Sequence, residues 1–161
     1  MFGFGKKKEE FHAPFAGTVL ALDDVPDEAF SSRMLGDGFA VSPDPSASVV
    51  EVIAPIDGTV VKIFKTHHAF SMRTPRGVDV LVHIGMDTVE LGGKGMEALV
   101  ESGAEVVAGT PIIRVDAQSV RDAGKSLVTP IVFTKKTQVD SVKVNVGPID
   151  PSEVAATVTL V

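Results

Sequence analysis

The chain has 161 residues, enough for one domain with a real core, and sets 15 Lys and Arg against 21 Asp and Glu for a net charge of −6. The acid excess excludes a basic nucleic-acid surface, and the lack of cysteine excludes disulfides, thiol catalysis and thiolate metal sites. No apolar run approaches the roughly 18 residues that span a bilayer, and the opening MFGFGKKKEE lacks the apolar core of a signal peptide. A cytoplasmic protein without stable membrane insertion is expected.

Residues 1–11 read as a flexible tail, in which Phe2 and Phe4 beside Lys6, Lys7 and Lys8 can touch an anionic membrane surface. Residues 12–161 read as a single domain. It opens with Ala13-Pro14-Phe15-Ala16-Gly17-Thr18-Val19, and the same A-P-x-x-G-T-V pattern returns at Ala54-Pro55-Ile56-Asp57-Gly58-Thr59-Val60. Each copy predicts extended chain into proline, a glycine turn and a strand, and two copies predict two similar halves. His12 beside the first copy reads as structural or surface. Between the copies, Pro26 to Leu35 predicts a helical turn or two, with Asp27 and Glu28 at its N-terminal end and Gly36 or Gly38 closing it. Phe30 and Met34 would then share one face. Strands are predicted over 38–42 and 49–53, then over 60–64.

Beyond a glycine-rich bend at 92–95, the stretch 96–101 fits a short helix or an irregular strand equally. Residues 103–115 predict a hairpin turning at Ala108-Gly109. A short helix over 117–123 closed by Gly124, and strands over 128–134, 139–146 and 155–161, complete the chain. The fold class is all-β: an antiparallel sandwich or barrel with internal pseudo-duplication and short helical turns.

Three of the four histidines fall between His67 and His83. Val78, Val80 and Val82 alternate with Asp79, Leu81 and His83, the period of a half-buried strand, so His83 and Leu81 face away from the valines. His68 follows the run Val60 to Phe64, and neighbouring strands would let the two imidazoles meet. Such a pair suits a zinc site, general acid–base catalysis or a phosphoryl group carried on nitrogen. A zinc hydrolase can be built on His83-x-x-x-Asp87, as in lysostaphin-like endopeptidases, but no histidine follows His83 to supply the downstream H-x-H pair. Biotinyl or lipoyl carrier domains resemble 54–63 and the turn at Gly109, without their modified lysine. Packed or surface histidines with no function are the remaining alternative.

The blocks T-H-H-A-F-S (66–71) and G-V-D-V-L-V-H-I-G-M-D-T-V-E-L (77–91) closely resemble the IIA domain of the glucose family of the bacterial phosphoenolpyruvate-dependent sugar phosphotransferase system. The resemblance runs over about residues 12–147 and includes both A-P-x-x-G-T-V copies, V-P-D-x-x-F and G-D-G. It implies the duplicated hybrid fold of that family. It also implies a phosphotransferase component in which His83 accepts a phosphoryl group from the phosphohistidine of the carrier protein HPr and passes it to a cysteine on the IIB domain of a sugar permease. His68 would stabilise the phosphoryl group, Thr66 would orient His68, and His83 would attack through Nε2 with Nδ1–H held by a backbone carbonyl, that of Gly85.

By the same resemblance, Phe30, Met34, Leu35, Phe64, Phe70, Leu81 and Val89 form a shallow apolar patch for HPr and IIB, rimmed by Asp27 and Asp87. No cofactor beyond the covalent phosphohistidine is required; in the family the pair matching His68 and His83 can also hold zinc at a partner interface, and some members regulate transporters or a kinase. Two features depart from the pattern. His67 stands where asparagine is common, and the tail is short. With no IIB or IIC sequence attached, a free-standing IIA protein is expected.

Overall fold

In the computed structural model, which describes residues 5–161, the two A-P-x-x-G-T-V copies form matching corners. The amide of His12, just before the first copy, donates to the Pro55 carbonyl of the second at 2.8 Å. Reciprocally, Ile53 donates to the Pro14 carbonyl, also at 2.8 Å. In each copy the glycine lies against a neighbouring carbonyl. A Cβ on Gly17 would stand 2.0 Å from the oxygen of Ser42, and one on Gly58 would stand 2.3 Å from that of Arg73. Glycine is required at both corners because only it lets the backbones approach so closely.

The chain begins with β1 (Lys8–His12), β2 (Gly17–Ala21) and β3 (Asp37–Pro43). A contiguous set of seven follows: β4 (Val49–Ile53), β5 (Gly58–Ile63), β6 (Ala69–Arg73), β7 (Asp79–His83), β8 (Met96–Ala98), β9 (Glu105–Val106) and β10 (Pro111–Asp116). Four more, β11 (Thr129–Phe133), β12 (Val139–Val144), β13 (Gly147–Ile149) and β14 (Val154–Leu160), return to the first group. The large sheet has the order β13-β2-β3-β11-β7-β6-β5-β9, and two three-stranded sheets have the orders β1-β14-β12 and β4-β10-β8. Exchanging β1, β2 and β3 with β4, β5 and β6, and β11 to β14 with β7, β8, β9 and β10, maps this arrangement onto itself. The second half is thus an unbroken insert within the first. All of the pairings are antiparallel.

Register carries the equivalence to single residues. Phe39 pairs with Ile131 and Gly38 with Val132 in one half; Phe70 pairs with Val82 and Ala69 with His83 in the other. His83 and Val132 are therefore counterparts. The main core includes the fully buried Phe11, Phe39, Phe70, Ile113, Ile131 and Val158. Truncating one of its phenylalanines to alanine is expected to cost about 3–5 kcal/mol. A second, smaller cluster lies on the other face of the large sheet. There Leu22, Val25 and Phe30, from the excursion between β2 and β3, bury Ala40, Val132 and Met86.

Several expectations change. The tail does not extend to residue 11: Lys8 already pairs with Thr159, and Phe11 is wholly buried. Its alternating exposed and buried residues are the strand signal that the lysine run obscured. Phe2 and Phe4 lie outside the described residues. Of the stretch 96–101, residues 96–98 form strand β8 and the rest is irregular. Residues 103–115 turn at Gly109, but β9 pairs with β5 whereas β10 pairs with β4 and β8, so no hairpin forms. The turn binds the neighbouring corner instead: Gly109 donates to the Ala54 carbonyl and Ala108 to the Asp57 carboxylate. The first helix, α1 (Glu28–Ser31), is one turn long and is capped by Asp27, which accepts from the Ala29 amide at 2.9 Å. Left-handed Arg33, at φ 62°, ends its path. Phe30 is consequently buried and Met34 is 69% exposed, so they do not share a face. The second helix, α2 (Ala117–Asp122), closes at Gly124 as expected.

Candidate functional site

The valines of 78–82 bury in the main core, leaving Asp79, Leu81 and His83 on the opposite face of β7. His68 ends the short connection between β5 and β6. That turn is closed by His67 donating to the Phe64 carbonyl and Phe64 donating to that of Ala69. His67 takes a left-handed φ of 59°, a conformation open to asparagine and histidine but costly for most residues. Its Nδ1 donates to the Met96 carbonyl at 3.1 Å, fastening the turn to β8. The Ile84 amide donates to the His68 carbonyl at 2.7 Å, and Ala69 pairs with His83. Two strands thus hold the imidazoles of His68 and His83 with centroids 5.1 Å apart and planes at 81°.

Nδ1 of His83 lies 2.8 Å from the Gly85 carbonyl oxygen. A carbonyl only accepts, so Nδ1 carries the hydrogen and the Nε2 lone pair is free. Gly85 reaches this position at φ 76°, and a Cβ there would meet the Ser126 carbonyl oxygen at 2.5 Å. Thr88, fully buried, donates its hydroxyl to the Ile84 carbonyl and tightens the same bend. Nδ1 of His68 bonds the Thr66 hydroxyl.

Phe30 packs against the His83 ring at 5.1 Å between centroids, and Phe64 packs edge-on to His68 at 5.6 Å. Lys62 extends its ammonium over the Phe64 ring at 5.0 Å. Burial pushes the proton affinity of His83 below that of an ordinary histidine. The Gly85 carbonyl and the charges of Asp27 and Asp87 oppose this only in part. His68 is lowered as well, by burial and then by the nearby His83. Both rings are therefore neutral near pH 7.

The expected apolar patch divides. Met34, Leu35 and Val89 are exposed. Leu81 is half-buried against the small cluster and Phe64 half-buried against His68. Phe70 is not on the surface: it is fully buried in the main core, because β6 turns it toward the same side as Val82. Phe30 is 4% exposed and is the apolar neighbour of His83 rather than open surface. Asp27 caps α1, and Asp87, at φ 57°, heads the bend after Gly85. Both carboxylates, expected only at the rim, also act on His83, whose proton affinity their charges raise. The cap signature of Asp27 three residues before Phe30 was the available signal.

No group of three His, Asp or Glu side chains able to hold a metal occurs among the described residues. A hydrolytic zinc centre of three protein ligands and water has no ligand set here, and the zinc-hydrolase alternative fails. What the two strands present is a neutral imidazole with its tautomer fixed, its nucleophilic nitrogen free and a second imidazole beside it. This is the equipment of a group carrier.

Comparison with known proteins agrees. Residues 9–139 match the family model for the phosphoenolpyruvate-dependent sugar phosphotransferase system, EIIA 1. The glucose-specific EIIA component of Staphylococcus epidermidis is 40% identical over 146 residues, covering 88% of this chain and 86% of that protein. The N-acetylglucosamine-specific EIICBA component of Escherichia coli is 47% identical over 123 residues, 76% of this chain but 18% of that longer protein. The solved glucose permease IIA of Mycoplasma capricolum superposes with a TM-score of 0.84 at 40% identity, covering 98% of this chain and 99% of that one. The chain belongs to the EIIA 1 family of the sugar phosphotransferase system. It is a phosphoryl carrier of that system and a phosphotransferase component.

Proposed function

We propose that His83 is the residue that carries the phosphoryl group, with Nε2 as the nucleophile. The observation that supports this most directly is the 2.8 Å bond from its Nδ1 to the Gly85 carbonyl, which leaves Nε2 unprotonated. The Nε2 lone pair forms a bond to phosphorus as the P–N bond of the phosphohistidine on HPr breaks and its electron pair returns to that imidazole. In the second step a cysteine thiolate of a IIB domain bonds phosphorus and the P–Nε2 pair returns to His83. The reaction needs alignment and neutralisation of oxygen charge more than covalent help.

His68 supplies that neutralisation. With the Thr66 hydroxyl donating to its Nδ1, His68 carries its hydrogen on Nε2 and offers it to a phosphoryl oxygen. Met34, Leu35, Val89 and Leu81 give the partners an apolar contact, and Asp27 and Asp87 give a charged rim. The relatives named above are specific for glucose or N-acetylglucosamine, which supports service to a permease for a sugar of that class. A cytoplasmic site of action goes with this reading. No helix among the described residues is long and apolar enough to cross a membrane. The histidine pair also offers zinc two nitrogen ligands, and a partner would have to bring the remainder.

Incubation with phosphoenolpyruvate, enzyme I and HPr tests the reading. The protein should take up acid-labile phosphate, and His83→Ala should take up none while melting at the same temperature. Ordinary labelling of a folded His83→Ala would refute the assignment.

A further inference from the structure

The residue that packs on the His83 ring comes from the other half of the molecule. His83 ends β7 in the inserted half, whereas Phe30 belongs to the excursion of residues 22–36, which joins β2 to β3 in the enclosing half. The equivalent connection in the inserted half, residues 64–68, is a tight turn with no excursion. The excursion covers Ala40 and Val132 with Leu22 and Val25, and Val132 is the counterpart of His83. One apolar cover therefore seals the vacant counterpart and extends one aromatic ring to the reactive position. The excursion is held at three points. Asp27 caps α1, and Arg33 binds the carboxylates of both Asp23 and Asp37.

We propose that Phe30 is a positioning residue for His83: its ring fixes the plane of the imidazole so that Nδ1–H stays on the Gly85 carbonyl and Nε2 stays bare. An imidazole on a strand end can turn about its last side-chain bond, and a half-turn of the ring puts Cδ2 where Nδ1 was and Cε1 where Nε2 was, which takes Nδ1–H off the Gly85 carbonyl and frees the tautomer to change. The Gly85 carbonyl is one constraint on that turn. The His68 ring, at 81° to His83, stands beside it at 5.1 Å. Phe30, inclined at 55° with its centroid 5.1 Å away and itself immobilised by burial, supplies the remaining wall. The bond fixes the tautomer only while the ring keeps this orientation, and one hydrogen bond to a neutral acceptor does not by itself lock a ring against turning. Packing contributes what the bond lacks. The consequence for transfer rests on His83 being the phosphoryl acceptor.

The test uses the unphosphorylated protein with 15N-labelled histidine at pH 8, where the rings are neutral. Nitrogen shifts should report His83 almost wholly as the Nδ1–H tautomer. Phe30→Ala should shift it toward Nε2–H and lower the phosphorylation rate at saturating HPr by about tenfold, or about 1.4 kcal/mol in the barrier. Phe30→Tyr keeps the ring and should keep the wild-type tautomer. Should Phe30→Ala fail to fold, Phe30→Val, too short to reach His83, is read in the same way. A folded variant with the wild-type tautomer and a slowed rate only at limiting HPr would overturn the proposal and make Phe30 a docking residue. Labelling that survives His83→Gln would refute the acceptor assignment instead, and leave the tautomer result standing.

Discussion

His83 and Val132 occupy matching places in two copies of one architecture, with the same strand order around them and the same pairing register. Their surroundings differ because of one connection. Between β2 and β3 the chain makes an apolar excursion that buries Val132 completely. Between β5 and β6 it makes a short turn that lifts Thr66 and His68 beside His83. The corners, the paired glycines and the main core are common property of both halves. With His83 as the proposed acceptor, what separates the halves is the length of a loop and what that loop leaves uncovered. A duplicated scaffold can thus hold one site rigidly without building two.

The comparison can be broken most severely at the sealed counterpart. Val132→His would place an imidazole in an apolar cluster with no polar partner, and is expected to lower stability by about 3 kcal/mol without creating a second phosphorylation site. Chemical denaturation and phosphate labelling on a His83→Ala background would check both parts; labelling at position 132 would show that the cover is not what separates the halves. The shared corners sharpen the likeness. Gly17→Ala and Gly58→Ala each drive a Cβ into a backbone carbonyl, and should each cost about 2 kcal/mol in unfolding experiments. Costs that differ widely would show that the halves are alike in outline only.

On the reactive side, His68→Gln can still donate a hydrogen bond but cannot become cationic. Phosphorylation by HPr should persist, and onward transfer to a IIB thiolate should slow by about tenfold, since there a second anion approaches the phosphoryl group. Single-turnover assays of the two half-reactions would separate the steps, and equal slowing of both would assign His68 a general orienting role.

Proton linkage gives a further test. His68 and His83 both bind protons less readily folded than unfolded. Between the folded values and the ordinary histidine value of about 6.5, the unfolded chain binds more protons. The histidines therefore do not oppose folding above that value, and their neutral burial costs stability as the pH falls below it. The melting temperature should decline below about pH 6.5, and less steeply in His83→Gln. The fall of phosphoryl acceptance on acidification should set in at a lower pH than for an ordinary histidine, because burial keeps Nε2 neutral further down. The smallest effect is expected at the rim. Asp87→Lys reverses one exposed charge and should change the association rate with HPr by less than about tenfold, with a weaker salt dependence.

The duplication, the fold class and the histidine pair were legible because each is written as a local pattern. The repeated A-P-x-x-G-T-V needs glycine where backbones touch, and the alternation over 78–83 decides which way His83 points. The Gly85 carbonyl, expected beside Nδ1 of His83 with the resemblance and not from any local pattern, stands there at 2.8 Å. Other features escaped because they depend on distant chain. Phe70 has the composition of a docking residue, but the register of β6 against β7 turns it inward. Phe30 is buried only because the excursion folds onto the large sheet, which no short-range pattern encodes. Residues 103–115 look like a hairpin from their turn, yet their strands find partners in two different sheets. The early end of the tail was hidden by a run of three lysines, the last of which, Lys8, already begins a strand whose partner lies at the far end of the chain.

The claim that one of two equivalent positions carries the phosphoryl group is most directly tested by locating that group. The protein, uniformly labelled with 15N, would be phosphorylated from phosphoenolpyruvate through enzyme I and HPr and examined by 31P and 15N magnetic resonance. The account predicts a single phosphorylated nitrogen, Nε2 of His83, with Nδ1 retaining its bond to the Gly85 carbonyl. Phosphate on His68, or on Nδ1 of His83, would contradict it.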